Sequence, residues 1–154
     1  MNIIYKEIDE KIEASIIKEF GRWVLDCNCL IRGEGCYLIA ALFNDKVIGF
    51  AALHPEQWIA PLEHYFDAFI EVIEVNEKYQ KQGIGTKLVE KLEEFAKSYG
   101  YYQIRAWSSI ECVSALKMFH KLQYCMCPAA MLGTSVLHGY ENKQIVGYYY
   151  AKLL

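Results

Sequence analysis

The stretch that decides the fold runs FIEVIEV (69–75), NEKY (76–79), QKQGIGTKL (80–88) and VEKLEEFAKSYG (89–100). An apolar strand is handed to a helix through a turn that carries two glycines, Gly83 and Gly85. The helix declares itself by spacing. Ile84, Leu88, Leu92, Phe95 and Tyr99 recur at four, four, three and four residues, which is one stripe. Gly100 is a plausible stop. The first turn of such a helix has unbonded backbone N–H groups and a partial positive charge. Glycine lets a ligand come close to that backbone, so the turn predicts an anion site suited to phosphate or pyrophosphate. The dipole contributes only roughly 0.3–2 kcal/mol. Several charge-assisted hydrogen bonds at roughly 1.5–3 kcal/mol each count for more. Lys81, Lys87 and the Thr86 hydroxyl are placed to add contacts. The plainer alternative is a tight turn that needs glycine for geometry alone.

Outward from this unit the chain is mixed. NIIYKEI (2–8) suggests a first strand, and Asp9 a cap for a helix with Ile12, Ile16, Phe20, Trp23 and Val24 on its apolar face. That helix should end before or within CNCLIRGEGC (27–36). YLIAALF (37–43) and KVIGFAALH (46–54) flank Asn44–Asp45, a hairpin turn. PEQWIAPLEH (55–64) carries two prolines and is expected as an irregular loop before a strand over 65–75. After the glycine turn come a strand at 101–108, a helix over 112–122 with Cys112, Ala115, Phe119 and Leu122 on one face, and strands near 124–130 and 144–153. The order β-α-β-β-β-α-β-α-β-β predicts an α+β fold with a mixed, mostly antiparallel sheet flanked by helices. Its helical crossover should be right-handed. A length of 154 residues predicts one domain, 1–154, with one sizeable core.

Composition removes several classes of function. Hydrophobic residues at 54% and aromatics at 14% argue against disorder. A net charge of −3 argues against a nucleic-acid partner, which favours a basic face. No apolar run approaches a membrane span, and MNIIYKEIDEKIEAS has no signal-peptide core, so the expected location is cytoplasmic. The six cysteines are spaced CNC and CMC where zinc favours CxxC. They are expected to be reduced and mostly buried, with no metal bound.

Two familiar phosphate loops fit poorly. A dinucleotide fingerprint wants a third glycine where Leu88 stands, and GIGTK has the wrong spacing for a P-loop. A third pattern fits. Gln80-Lys81-Gln82-Gly83-Ile84-Gly85 resembles the Q/R-x-x-G-x-G/A signature of the GNAT superfamily of N-acetyltransferases. Its setting, IEV-x(4)-QKQGIG-x(2)-L, resembles that family's strand, loop and helix, and ALKMFHKLQY (115–124) resembles its A-x-x-F-Y-x-x-L-G-F segment. The resemblance implies acetyl-CoA as cosubstrate, with its pyrophosphate held by amides over Gln80, Lys81, Gln82, Gly83, Ile84, Gly85 and Thr86. It implies a pantetheine arm paired with free backbone near Ile73 and Val75, and an N–H there that polarises the acetyl carbonyl. A nucleotide-binding protein using the same anion site, and a CoA-binding module without catalysis, are the competing readings.

Transfer to an amine needs a neutral nucleophile. A lysine-like amine with a pKa near 10.4 costs about 4.6 kcal/mol to hold neutral at pH 7. A positioned carboxylate could take that proton, directly or through water. Glu71 and Glu74 are the candidates, and strand alternation sends them to opposite faces. Glu71 stands nine residues before Gln80, where the resemblance implies a base, and is the first choice. The proton donor is less legible. The resemblance implies a tyrosine where this chain has Phe119, with Cys112 and Gln123 as further departures. His120, Ser109, Cys112 and Tyr124 are substitutes, and unassisted thiolate departure is tolerable. Cys112 also allows an enzyme thioester, though no histidine is fixed beside it in sequence. His54 and His64 flank the proline segment, and His120 is expected at the surface. The acceptor, a small-molecule or peptide amine, would meet Trp23, Trp58, Tyr65, Phe66, His138 and Tyr140. A monomer and a homodimer are both compatible.

Overall fold

The computed structural model describes residues 1–58, 60–132, 135–138 and 145–154, with side chains for all of these except 130–132 and 135–138. In chain order the elements are β1 (Ile4–Glu7), α1 (Glu10–Phe20), α2 (Trp23–Asp26), β2 (Tyr37–Phe43), β3 (Lys46–Gln57) and β4 (Phe66–Val75). A 3₁₀ turn (Glu77–Tyr79) leads to α3 (Ile84–Tyr99), β5 (Gln103–Ser109), α4 (Val113–Lys121), β6 (Cys125–Leu132), β7 (Ser135–His138) and β8 (Ile145–Leu153). Among the described residues the strands form one sheet in the order β1-β2-β3-β4-β5-β8-β6-β7. The β4–β5 pair is parallel and the other pairs are antiparallel. The expected α+β class and mixed, mostly antiparallel sheet are what the chain forms.

Local chemistry sets the boundaries. The Asp9 carboxylate accepts from the Ile12 amide at 2.8 Å and starts α1 as expected. Asn44 and Asp45 both take positive φ, 50° and 61°, and join Phe43 to Lys46 in a two-residue hairpin. Gly100 closes α3 in the left-handed region. Adjacent residues in β2 and β3 face opposite ways, and both faces are buried. Ile39, Ile48 and Leu53 join Leu88, Leu92 and Phe119 under α3 and α4. Leu38, Phe50 and Ala52 join Ile12, Ile16 and Val24 under α1 and α2.

Four expectations change. The first helix breaks at Gly21 (φ 99°), and the Trp23 indole N–H donates to the Phe20 carbonyl at 2.7 Å across the break. β3 runs through Pro55 to Gln57 instead of ending at His54, so His54 lies within the strand and not at its end. β2 ends opposite Leu53, which leaves β3 an edge there that tolerates proline. A short strand, β7, extends the sheet beyond β6. Only Cys29 among the cysteines is fully buried, and Cys27, Cys112, Cys125 and Cys127 are exposed, so the thiols are not mostly buried.

Two irregularities in β4 build the site. Val72 lies opposite Ala52 and Ile70 opposite Leu53, so Glu71 has no partner and forms a β-bulge. The parallel pairing with β5 covers only Ala68–Ile70 against Ile104–Ala106. Beyond it β4 stays on β3 and β5 stays on β8, so the two strands part and their facing backbone edges are left open.

Candidate active site

The opening between β4 and β5 leads towards the glycine turn. Ile73 and Val75 pack their side chains into the core under α3, so what they present to the gap is backbone. After Val75 the turn is tied to the strand end by its own side chains. The Gln80 amide donates to the Val75 carbonyl at 2.9 Å, and the Gln82 amide to the Lys78 carbonyl at 3.4 Å. Asn76 accepts from the Lys78 amide at 3.1 Å. Gln80 and Gln82 therefore shape the loop with their side chains, and any anion meets backbone here.

Lys81 (φ 60°) and Gly83 (φ 84°) are both left-handed and swing the chain into α3. A Cβ on Gly83 would meet nothing within 4 Å, so the glycine serves the backbone angle and faces open space. Gly85 differs: a Cβ there would lie 3.4 Å from Met118 Sδ, and its smallness lets α4 approach α3. The first bond of the helix runs from the Lys87 amide to the Gly83 carbonyl, leaving the Ile84, Gly85 and Thr86 amides as the orphan donors of the first turn. The Ile84 side chain is in the core, so its amide alone can serve a ligand. Thr86 is half-buried and Lys81 exposed. The Lys87 ammonium already pairs with Glu90 at 2.9 Å. Open space in front of a helix N-terminus, beside unpaired strand edges, fits a pyrophosphate with an extended arm.

The bulge overturns the expected placement of the two glutamates. Alternation alone would oppose Glu71 and Glu74, but the extra residue returns both to the face of α1 and α2. Glu71 approaches His54, with Oε2 3.4 Å from Nε2, and its charge is felt by the buried thiol of Cys29 on that face. Glu74 lines a groove of about 530 Å³ with Glu19, Phe20, Trp23, Asn76 and Glu77. Burial raises the Glu74 carboxyl above its ordinary value, opposed by the Val75 amide and aided by the Glu77 charge.

The second half supplies no tyrosine at the expected place. Phe119 is buried, stacked on Tyr150 at 4.3 Å between ring centres and edge-on to Tyr124. The Tyr150 hydroxyl is paired with Ser108 at 2.7 Å. Burial, then the charge of Glu93, pushes the Tyr124 hydroxyl far above the ordinary phenol range, which suits a core residue and not a proton donor. Cys112 is exposed at the start of α4, its Sγ 3.4 Å from Ser109 Oγ. His120 and His64 are exposed. Trp23 borders the groove, whereas Trp58, Tyr65 and Phe66 gather at the β3–β4 connection. His138 and Tyr140 lie outside the residues whose side chains are described. Among the described residues no three His, Cys, Asp or Glu converge as a metal would need, and no helix is long and apolar enough to cross a membrane. The His54–Glu71 pair was hidden from sequence reasoning because the bulge that turns Glu71 towards His54 depends on pairing between strands.

Comparison with known proteins shows the fold and the family. An uncharacterized N-acetyltransferase of Methanocaldococcus jannaschii is 29% identical over 129 residues, covering 84% of this chain. The chain spans about half, 49%, of that relative's length. A GNAT family acetyltransferase from Streptococcus pneumoniae superposes with a TM-score of 0.73 at 16% identity, over 99% of this chain and 100% of the other. A GNAT family acetyltransferase from Elizabethkingia anophelis, solved with acetyl-CoA bound, gives 0.69 at 18% identity over 99% of each chain. These two show a shared fold. The Acetyltransferase (GNAT) family matches residues 4–124, most of the sheet and both of its helical layers, and the chain belongs to that family.

Proposed function

We propose that the chain is a single catalytic domain, 1–154, which transfers an acetyl group from acetyl-CoA to a primary amine of a small molecule or peptide by direct attack in a ternary complex. The observation that carries this reading is the parting of β4 from β5 after Ile70, which runs open backbone up to the turn at Gly83. Acetyl-CoA supplies the activated acetyl group as a thioester. The chain's own residues do the rest. The amides of Ile84, Gly85 and Thr86 take the pyrophosphate, with Lys81 and the Thr86 hydroxyl beside them. Backbone near Ile73 and Val75 holds the arm, and an N–H there polarises the acetyl carbonyl. Glu71 takes the proton from the incoming ammonium, and Glu74 is the second carboxylate of the same face. The rings of Phe20 and Trp23 with the carboxylates of Glu19, Glu74 and Glu77 favour a cationic amine over an anionic acceptor. This chemistry needs no metal, nucleic acid or membrane. It goes with a cytoplasmic location and works in a monomer or a homodimer.

One observation favours a second reading. Phe119, buried where the family pattern has a tyrosine, leaves thiolate departure without that donor, which suits a CoA-binding module of little activity. Calorimetric titration of acetyl-CoA, with CoA, ATP and NAD as comparators, and then an amine panel, tests both. Selective binding of acetyl-CoA and CoA followed by amine acetylation is expected. Binding without transfer to any amine would leave the module, and absence of CoA binding in folded protein would sink both readings.

A further inference from the structure

The bulge that exposes Glu71 also gives it a partner. His54 stands on β3, its ring edge-on to Phe69 with centroids 5.5 Å apart. Its Nε2 is buried, makes no hydrogen bond to a described residue, and faces the Glu71 carboxylate at 3.4 Å. The other charged and titratable groups turned to this face are already engaged or lie in the core. Arg105 on β5 reaches Glu56 on β3 at 2.6 Å and Asp67 on β4 at 2.5 Å. Cys29, after α2, is a buried thiol whose pKa is raised first by burial, then by Cys27 and by Glu71. Glu74 borders the groove farther along β4. With Arg105 engaged, the side chain that faces the Glu71 carboxylate among the described residues is His54.

We infer that His54 is a positioning and proton-holding residue that acts through Glu71, so that the proton acceptor of the reaction is the pair and not a lone carboxylate. The inference rests on the acetyltransferase reading above. In it, Glu71 removes one proton from the substrate ammonium and passes it to Nε2, a buried nitrogen that faces its carboxylate and makes no hydrogen bond to a described residue. The result is an imidazolium beside a carboxylate, the arrangement the 3.4 Å approach prepares; such contacts tighten when substrate closes the site. The freed nitrogen lone pair attacks the thioester carbonyl carbon. A C–N bond forms, the C–S bond breaks, and its electron pair leaves on sulfur. The second proton shed by nitrogen as the amide forms neutralises the thiolate, and the proton on the pair returns to water.

The test compares kcat/KM against pH for the intact chain, His54→Gln and Glu71→Gln, with acetyl-CoA and three acceptors: 2-phenylethylamine, spermidine and an alanyl dipeptide. The acceptor's own ionisation affects every profile alike and cancels in the ratio of variant to wild type. His54→Gln should lose roughly 100-fold on the neutral plateau, the low end of what a general base contributes, with acetyl-CoA affinity unchanged. Its acidic limb should move towards acid, so the ratio climbs as pH falls. Glu71→Gln should lose at least as much, and the double variant no more than Glu71→Gln alone. A readout independent of acceptor accompanies this. The ring-nitrogen resonances of His54, identified by their loss in His54→Gln, should move in Glu71→Gln further than those of His64 and His120. Transfer with a ratio flat in pH, or unmoved His54 resonances, overturns the pair while leaving the acetyltransferase reading intact. Binding of acetyl-CoA without transfer to any amine overturns that reading, and the role of the pair with it.

Discussion

Gly83 is the residue at which a backbone angle and the proposed phosphate site coincide. Its φ of 84° excludes most side chains, and Asn and Asp are the residues that tolerate that region best. This permits a charge test at constant backbone cost. Gly83→Asn and Gly83→Asp should unfold at similar temperatures, each slightly below wild type. Gly83→Asp, which sets a carboxylate against the proposed pyrophosphate site, should weaken acetyl-CoA binding about tenfold or more relative to Gly83→Asn in calorimetry. Equal binding by the two variants would move the phosphate site elsewhere. Glu74 allows a pH test. Burial raises its folded-state pKa above the ordinary 4.5, so the folded chain holds this proton more firmly than the unfolded chain. Its contribution to stability is therefore fullest below the unfolded value and is lost as pH rises through the folded one. At pH 7 the half-buried carboxylate is a cost that Glu74→Gln removes. The variant should melt a few degrees higher at pH 7, on a scale of about 2–4 °C per kcal/mol, and the difference should vanish towards pH 4. Equal melting at both pH values would show that solvent screens the carboxylate fully. The glycines and both glutamates were legible in the sequence as types and spacings. Which face Glu71 uses was not, because one unpaired residue resets the period of two.

Between elements, the β4–β5 seam is closed at one end and open at the other. Near its closed end Arg105 spans three strands: its guanidinium meets Asp67 on β4 at 2.5 Å and Glu56 on β3 at 2.6 Å. Gln103 donates to the same Asp67 carboxylate at 2.8 Å. Asp67 is 1% exposed, so removing its cation leaves a charge in the core. Breaking a buried pair costs roughly 3–5 kcal/mol. Arg105 is partly in water, so Arg105→Met should cost about 3 kcal/mol or less, read by thermal unfolding. Adding Asp67→Asn should recover much of it. Acetyl-CoA affinity should hardly change, since the proposed phosphate site lies at the other end of β4; a loss of affinity would mean the clamp also sets the width of the opening. Most elements were legible from periodicity and turn chemistry: β2 falls on residues 37–43 as expected, and α3 carries its predicted stripe. The misread ones were decided by tertiary context. A proline segment continues a strand because its neighbour has ended, and a helix breaks where a glycine takes positive φ.

At the scale of the molecule, the helix that opens the proposed phosphate site is fastened to β8. Lys152 on β8 reaches both carboxylate oxygens of Glu93 on α3, at 3.0 and 2.8 Å, with its ammonium 5.4 Å from the centre of the Tyr124 ring. Glu93 is 9% exposed and sits among apolar neighbours of α3 that face the core. No sequence pattern announces this contact, because the partners are 59 residues apart and each reads as an ordinary surface charge on an amphipathic element. The pair links the half of the sheet that carries the β4 seam to the half built from β5, β8 and β6. Two buried charges gain little over an apolar pair, but one left alone is expensive. Lys152→Met should therefore cost about 3 kcal/mol, a fall in Tm of about 6–12 °C. Glu93→Gln in the same chain should restore most of it, whereas two independent sites would add their losses. If the double variant melts lower than Lys152→Met alone, the lysine's apolar stem and its contact with Tyr124 carry the link, and the charge pair does not.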